Sequence, residues 1–197
     1  MAYTAPVEQI AFILNNVVAF RQLAETELFA EATPETVTAI LTEAGKLADE
    51  VIAPVNRAGD LTPARLENGK LRSSPGYAEA FRALADGGWI GVSANPEHGG
   101  MGLPQALNAA VMEMIGSGCL ALQLNPLLTQ GQIEALEHHG SDHLKETYLP
   151  KLISGEWSGT MNLTEPQAGS DVGALTTKAE RMDDGTYRIT GQKIFIT

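Results

Sequence analysis

The side-chain periodicity of this sequence changes once, near residue 156, and that change limits the folds open to the chain. Before it, apolar residues recur at steps of three and four, as in amphipathic helices. After it come three shorter runs of strand-like, partly alternating residues: Trp157–Leu163, Ala174–Arg181 and Tyr187–Ile196. Three strands are too few to close a barrel or build a core of their own. We therefore predict a mainly α protein, with a helical domain over 1–155 and the start of a β domain over 156–197.

The segment after Thr33 is the most clearly helical part of the sequence. Thr33 is a good N-cap, and Pro34 follows at the first helical position, where its missing N–H costs nothing. One face carries apolar residues at helical spacing: Val37, Ile40, Leu41, Ala44, Leu47, Ala48, Val51 and Ile52. We predict that this helix ends before Pro54. A structured loop that turns at Asn68-Gly69 is predicted over 56–76. Further helices are predicted at about 75–85, 104–116, 121–138 and 141–153.

Charge and composition narrow the possible partners. The chain has 24 acidic and 13 basic residues and a net charge of −11. Nucleic acid needs a basic face on its partner, so we expect no nucleic-acid binding. No apolar run approaches the ~20 residues of a transmembrane helix, so we expect no membrane association. The single Cys119 forbids an internal disulfide, which favours a cytoplasmic protein.

Three other patterns could suggest chemistry, but a simpler interpretation is better for each. His138, His139 and His143 sit at a helix end, where imidazoles face the negative end of the dipole, and we expect no metal site there. Cys119 lacks a neighbouring base and is interpreted as a small buried residue. The glycines of the segment 99–102 lack the strand and spacing of a dinucleotide-binding loop.

The segment Leu163–Asp171 has the most distinctive pattern in the chain, a strand end that turns into a loop. Pro166 stiffens the backbone and moves the preceding residue out of the α region. Gly169 allows the main chain to approach a bulky ligand without a side chain in the way. Thr164 and Ser170 add hydroxyl groups to the same turn. Taken alone, these residues fit a ligand-binding turn and a capped loop equally well.

The order of residues is more specific than their types. Thr164-Glu165-Pro166-Gln167-Ala168-Gly169-Ser170-Asp171, followed by Ala174, resembles the flavin-binding signature of the acyl-CoA dehydrogenases, with one departure at Asn162, where the family usually has a small residue. Three other segments resemble family landmarks in the right order: Gly88-Trp89 with Pro96–Pro104, Tyr148–Pro150 with Gly155-Glu156, and Lys193–Thr197. Four ordered matches are much stronger than a lone glycine motif. The opening residues, 1–30, resemble the N-terminal extension of one subgroup of the family.

The resemblance implies a fold and a cofactor. The fold is an N-terminal helical bundle followed by the first strands of a β-barrel domain, which we expect to be incomplete because the chain ends at Thr197 within an apolar run. The cofactor is FAD. The resemblance implies cofactor contacts from Met161, Leu163, Thr164, Ser170, Phe195, Ile196 and Thr197, with the Thr164 hydroxyl approaching flavin N5. It also places Ser170 against the acyl-CoA substrate, with Leu124 and Leu127 as candidate pocket residues, although core packing is the simpler interpretation of both leucines.

The resemblance also implies a reaction, the α,β-dehydrogenation of an acyl-CoA thioester, with an electron-transfer flavoprotein as electron acceptor and a homo-oligomeric full-length enzyme. The family's catalytic base is a Glu of a C-terminal domain beyond Thr197, so no residue here is predicted to be catalytic. Glu165 is interpreted as part of the loop framework. Two alternatives stay open: a non-catalytic helical interaction or scaffold module, and a flavin oxidase or monooxygenase on the same scaffold.

Overall fold

The computed structural model describes residues 3–197, which form two compact units. The first extends to Gly159 and the second is Thr160–Thr197, whereas the sequence placed the change after residue 155. The helices of the first unit are α1 (Val7–Asn16), α2 (Arg21–Ala24), α3 (Pro34–Leu47), α4 (Ala53–Leu61), α5 (Tyr77–Asp86), α6 (Gln105–His139) and α7 (Asp142–Ile153). A hairpin of β1 (Arg65–Glu67) and β2 (Lys70–Arg72) interrupts them. Short 3₁₀ turns occur at Glu27–Phe29, Trp89–Gly91 and Pro96–His98.

Helix α3 begins as predicted but does not end where predicted. The Thr33 hydroxyl accepts a hydrogen bond from the Thr36 N–H at 3.2 Å, so Thr33 is the N-cap. The helical path then continues through a π-helical turn, Ala48–Ile52, into α4. The prediction that the helix ends before Pro54 was therefore wrong. Pro54 lies in the first turn of α4, where a missing N–H is tolerated, and the wider π turn leads the chain into it.

The predicted loop at 56–76 is in part helical, because α4 extends to Leu61. The predicted turn within it is confirmed. Asn68 and Gly69 have φ angles of 53° and 74°, and they connect β1 to β2 with Glu67 paired to Lys70. Two successive residues with positive φ match the right-handed twist of a two-residue hairpin.

The segment Gln105–His139, named α6, consists of two helices that meet at Cys119. Cys119 has non-helical angles, φ −155° and ψ 94°. Asn108 and Gln130 exchange hydrogen bonds of 3.0 and 3.3 Å across this break. In a straight helix, residues 22 positions apart would be ~33 Å distant, so the chain reverses at Cys119. This geometry confirms the prediction of separate helices at 104–116 and 121–138.

By length and composition alone, the 35 residues of α6 would suffice for a membrane span, which corrects the expectation that no apolar run approaches this size. The reversal at Cys119, however, divides them into two shorter helices. In the structure, 61% of the most apolar 18-residue stretch of α6 is buried.

The core of the first unit forms where α3, the π turn, α4 and α6 pack together. Its fully buried side chains include Leu41, Ile52, Leu107, Met114 and Ile115. Burial of such side chains supplies most of the stability of a helical domain, at about 1.5–3 kcal/mol each.

The second unit contains one antiparallel hairpin of β3 (Lys178–Arg181) and β4 (Tyr187–Thr190). The predicted hairpin turn over 183–186 is confirmed, since Arg181 pairs with Tyr187 across it. Trp157–Leu163 is not a strand, so that prediction was wrong. The other two strands are shorter than predicted, and their side chains are exposed. An alternating pattern becomes a regular strand only when a neighbouring strand pairs with it.

Candidate functional site

The loop that follows Thr164 closes on itself. The Glu165 N–H donates to the Ala168 carbonyl at 2.9 Å, and the Ala168 N–H returns a bond to the Glu165 carbonyl at 3.0 Å. Both residues are buried, whereas Pro166 and Gln167 form an exposed tip. The turn therefore has a defined backbone, as a preorganised binding loop requires.

The structure brings together two segments that are about thirty positions apart in the sequence. The Ile194 N–H donates to the Thr164 carbonyl at 2.9 Å. The Thr197 hydroxyl lies 3.4 Å from both the backbone nitrogen and the carbonyl oxygen of Met161. These contacts place Met161 beside Thr197 and Thr164 beside Ile194, the order of two antiparallel segments, although neither segment is a regular strand. Six of the seven predicted cofactor residues lie on these two segments: Met161, Leu163, Thr164, Phe195, Ile196 and Thr197.

The paired segments present large apolar side chains to solvent. Phe195 is 87% exposed and has a φ angle of 52°, which is uncommon for a residue with a side chain. Met161, Leu163 and Ile196 are also exposed. Thr164, which follows Leu163 in the sequence, is half-buried. Exposed apolar groups concentrated on so small a unit mark a surface that binds a ligand or another part of a protein.

Glu165 is the most enclosed charged group of the second unit, with a side chain only 1% exposed. Its carboxylate accepts five hydrogen bonds, from Gln167 Nε2 (2.6 Å), Thr176 N (2.8 Å), Thr176 Oγ1 (3.0 Å), Thr177 N (3.0 Å) and Lys193 Nζ (2.9 Å). Donors of Thr177 and Thr176, together with the Lys193 ammonium, hold the pKa of Glu165 well below its ordinary value. A carboxylate with this many donors is a structural anion, which agrees with its interpretation as loop framework.

Ser170 and Asp171 end the loop. Asp171 Oδ1 accepts a hydrogen bond from the Gly173 N–H at 3.1 Å and begins the 3₁₀ turn Val172–Ala174. Ser170 is exposed beside this turn. A methyl group added at Gly169 would meet only Thr164 Cγ2, at 3.8 Å. The surface above Gly169 is therefore open, as expected where a ligand approaches the backbone.

Leu124 and Leu127 lie in the first unit, on the second half of α6. They are 48% and 44% exposed, so the interpretation of both as core residues was wrong. Leu120 is exposed on the same helix and completes an i, i+4, i+7 stripe with them. The sequence analysis missed Leu120, although its spacing from Leu124 could have indicated it. The stripe is an apolar surface suited to a hydrocarbon chain.

Two other sequence-level interpretations concern the same unit. Within residues 3–197, no three His, Cys, Asp or Glu side chains are grouped closely enough to hold a metal ion. Cys119 is buried, and its Sγ lies 3.4 Å from the Tyr77 hydroxyl. This hydrogen bond, with burial, raises the pKa of Tyr77 to about 12. Cys119 thus belongs to the packing around the break in α6.

Comparison with known proteins places this chain in a family. The sequence profile described as "Acyl-CoA dehydrogenase, N-terminal domain" matches residues 33–156. The 3-methylmercaptopropionyl-CoA dehydrogenase of Ruegeria pomeroyi is 46% identical over 197 residues, all of this chain. A butyryl-CoA dehydrogenase of Syntrophomonas wolfei is 35% identical over 156 residues, 77% of the chain. The chain belongs to the acyl-CoA dehydrogenase family. The similarity to the Ruegeria protein includes the opening residues, as the predicted subgroup requires.

The fold agrees with this assignment. The solved structure of a glutaryl-coenzyme A dehydrogenase in its glutaryl-CoA complex aligns with a TM-score of 0.71 at 29% identity, over 81% of this chain and 38% of that chain. The sequence spans 34% of the Ruegeria protein and 25% of the Syntrophomonas protein. The chain thus spans about a third or less of the length of these curated relatives.

Proposed function

We propose that this chain supplies the flavin-facing loop and part of the acyl pocket of an FAD-dependent acyl-CoA dehydrogenase. The observation that supports this most directly is the antiparallel pairing of segments 161–164 and 194–197. Except for Ser170, which lies on the loop, these segments carry all the residues that the family resemblance assigns to the cofactor. Their exposed apolar side chains suit a flat aromatic ring. Loaded with FAD, such a site removes a hydride from the β-carbon of an acyl-CoA thioester.

The residues of this chain have separate roles in the proposed site. Thr164 offers a hydroxyl and flanking peptide groups to the polar edge of the cofactor. Phe195 offers a ring for stacking or edge contact, and Ser170 offers a hydroxyl at the loop end, where cofactor and thioester are expected to meet. Leu124 and Leu127 offer an apolar stripe to the acyl chain. Hydrogen-bond donors held rigidly where charge develops are the main source of rate acceleration in such sites.

We propose that the base that removes the α-proton lies outside the described residues. Only two carboxylates occur in the loop 163–176, and both are engaged: Glu165 by five donors and Asp171 by the Gly173 N–H. A general base needs a carboxylate that is free to accept a proton.

We further propose an electron-transfer flavoprotein as the electron acceptor, a homo-oligomeric assembly of the full-length enzyme and a cytoplasmic location.

The test is Thr164→Val in the FAD-loaded enzyme. The lost hydroxyl is expected to act on the cofactor during reduction, so the barrier to flavin reduction by acyl-CoA should rise by about 2–4 kcal/mol. The limiting rate should then fall roughly 30- to 1,000-fold. Substrate affinity should change little. Stopped-flow absorbance under anaerobic conditions measures both quantities.

The matched control is Thr190→Val, an exposed position on β4 that should keep the wild-type rate. If Thr164→Val lowers only the melting temperature and leaves the limiting rate unchanged, Thr164 is a structural residue and the proposed cofactor role is wrong. Rapid reoxidation of the reduced enzyme by oxygen, without any acceptor protein, would instead favour the oxidase alternative.

A further inference from the structure

Lys193 begins one of the segments that resemble the family, but the sequence predicted no contact for its side chain, which reaches the centre of the paired segments. Its ammonium donates to the Leu163 carbonyl at 2.8 Å and to Glu165 Oε1 at 2.9 Å. These two residues immediately precede and follow Thr164. The Lys193 side chain is 24% exposed and its partner carboxylate 1% exposed, so the pair is largely shielded from solvent. Such a pair is held more firmly than an ion pair in open solvent.

The hydrogen bonds fix the backbone on both sides of Thr164. The Leu163 carbonyl belongs to the peptide plane that precedes Thr164, and Lys193 Nζ holds it. The Thr164 carbonyl belongs to the plane that follows, and the Ile194 N–H holds it at 2.9 Å. The orientations of the two flanking peptide planes set φ and ψ of the residue between them. They therefore set the direction of the Thr164 Cα–Cβ bond, from which the hydroxyl group projects.

Glu165 keeps the ammonium in place. A lysine side chain has several rotatable bonds and would otherwise extend into water. Glu165 is itself immobilised by Gln167, Thr176 and Thr177, so the counter-charge has a fixed position. The Lys193 ammonium thus bonds to the loop, while its backbone belongs to the segment that contains Phe195 and ends at Thr197.

We propose that Lys193 is a positioning residue for Thr164, and that the Lys193–Glu165 pair holds Thr164 and Phe195 in the mutual register that the cofactor requires. This inference rests on the proposed function, since Thr164 is taken to face FAD. Lys193 itself touches neither cofactor nor substrate in the proposal. Its effect on the reaction passes through Thr164.

The test is a double-mutant cycle in the FAD-loaded enzyme with Lys193→Met, Thr164→Val and the double variant. Met retains most of the side-chain length but removes the ammonium. If Lys193 acts through Thr164, Lys193→Met lowers the limiting rate of flavin reduction by about 10-fold or more in the wild-type background but by less than about 3-fold in the Thr164→Val background. KM for acyl-CoA should change less than the limiting rate.

Two matched variants accompany the cycle. Lys178→Met removes an exposed ammonium from β3 and should leave the rate unchanged. Lys193→Arg keeps the charge and should restore part of the rate lost in Lys193→Met. If Lys193→Met does not fold, Lys193→Gln replaces it in the same cycle, because it removes the ammonium but keeps a polar end that can donate to the neighbouring oxygens.

A wild-type limiting rate in Lys193→Met, or rate losses that multiply in the double variant, would overturn the inference, because either result separates Lys193 from Thr164. Hydrogen exchange at the Ile194 amide provides a readout that does not depend on FAD, and it should be faster in Lys193→Met than in Lys178→Met. If wild-type protein takes up no FAD, the proposed function fails. An unchanged exchange rate at Ile194 shows instead that the Lys193 contact does not hold the two segments together.

Discussion

Glu165 shows how one side chain can suggest two opposite roles. A carboxylate within a flavin-binding signature is a natural candidate for a base, but its five donors stabilise the ionised form and remove its capacity to accept a proton near neutral pH. The same donors link three separate stretches of the second unit: the loop, residues 176–177 and Lys193. A base would need the opposite environment, with burial that favours the neutral acid.

The lowered pKa of Glu165 predicts how its contribution to stability depends on pH. A carboxyl group whose pKa is lower in the folded state than in the unfolded chain stabilises the fold above the unfolded pKa, about 4.3. That stabilisation is lost as the pH falls from this value towards the folded pKa. Glu165→Gln should therefore be less stable than wild type at pH 5–7, and the difference should shrink below about pH 4.

Urea unfolding from pH 3 to pH 7 measures this difference, with Glu180→Gln on the exposed face of β3 as the control. The control also removes one negative charge but should follow wild type across the range. A difference between Glu165→Gln and wild type that is constant with pH would show that the ionised state of Glu165 does not stabilise the fold.

At the scale of secondary structure, local chemistry determined the helix starts and the turns, whereas tertiary contacts determined several of the ends. The cap at Thr33, the turn at Asn68-Gly69 and the hairpin turn over 183–186 depend on neighbouring residues only, and each was predictable. The π turn at Ala48–Ile52 has no local signature, and the proline after it suggested a helix end. Trp157–Leu163 alternates like a strand but pairs with no regular strand within the described residues, so its pattern was misleading.

The same distinction applies to the candidate site. The sequence order predicts cofactor roles for Thr164, Ser170 and the segment ending at Thr197, because a recognisable signature surrounds them, and these roles stay predictions. It could not show that Lys193 reaches back to Leu163 and Glu165, since that contact depends on an antiparallel register between segments about thirty positions apart. It also could not show that Leu124 is exposed, because helical spacing gives the face of a helix and not what covers that face.

The N-cap of α3 allows a prediction at this scale. Thr33→Ala removes the hydroxyl that satisfies the Thr36 N–H and should lower the free energy of unfolding of the first unit by about 1 kcal/mol. Thr42→Ala is the control, because Thr42 lies in the interior of the same helix and its hydroxyl donates only to the Thr38 carbonyl of the preceding turn. Thermal unfolding followed by circular dichroism should show a lower midpoint for Thr33→Ala alone. Equal midpoints for the two variants would show that the cap contributes nothing measurable.

At the scale of the whole chain, the two units contribute different kinds of surface to the proposed enzyme. The first contributes a helical core and the apolar stripe of Leu120, Leu124 and Leu127. The second contributes the paired segments and the loop anchored by Glu165. The net charge of −11 gives no overall attraction for an anionic CoA ester, so binding must depend on local donors and apolar contact. The Ruegeria and Syntrophomonas relatives are about three times as long as this chain, which leaves room for further walls of the site in such proteins.

A polypeptide of residues 1–197 alone should therefore have no acyl-CoA dehydrogenase turnover and should retain little FAD. Five donors hold Glu165 in its ionised form, and the proposed base lies outside the described residues, so we expect no carboxylate of this chain to take the α-proton. The apolar side chains expected to contact the cofactor are largely open to water, with Phe195 87% exposed. A cofactor held on one open face gains little burial energy compared with one enclosed on several sides.

Two measurements on the purified 197-residue chain check this prediction: the FAD carried through purification, and the reduction of an artificial electron acceptor in the presence of acyl-CoA and added FAD. The expected results are substoichiometric FAD and no reduction above that given by free FAD. Stoichiometric FAD without turnover would show that the paired segments enclose more of the cofactor than their exposure indicates. Turnover would show that one of the chain's own carboxylates accepts the α-proton, and Glu165→Gln and Asp171→Asn would then identify which, because only the variant lacking the base should lose it.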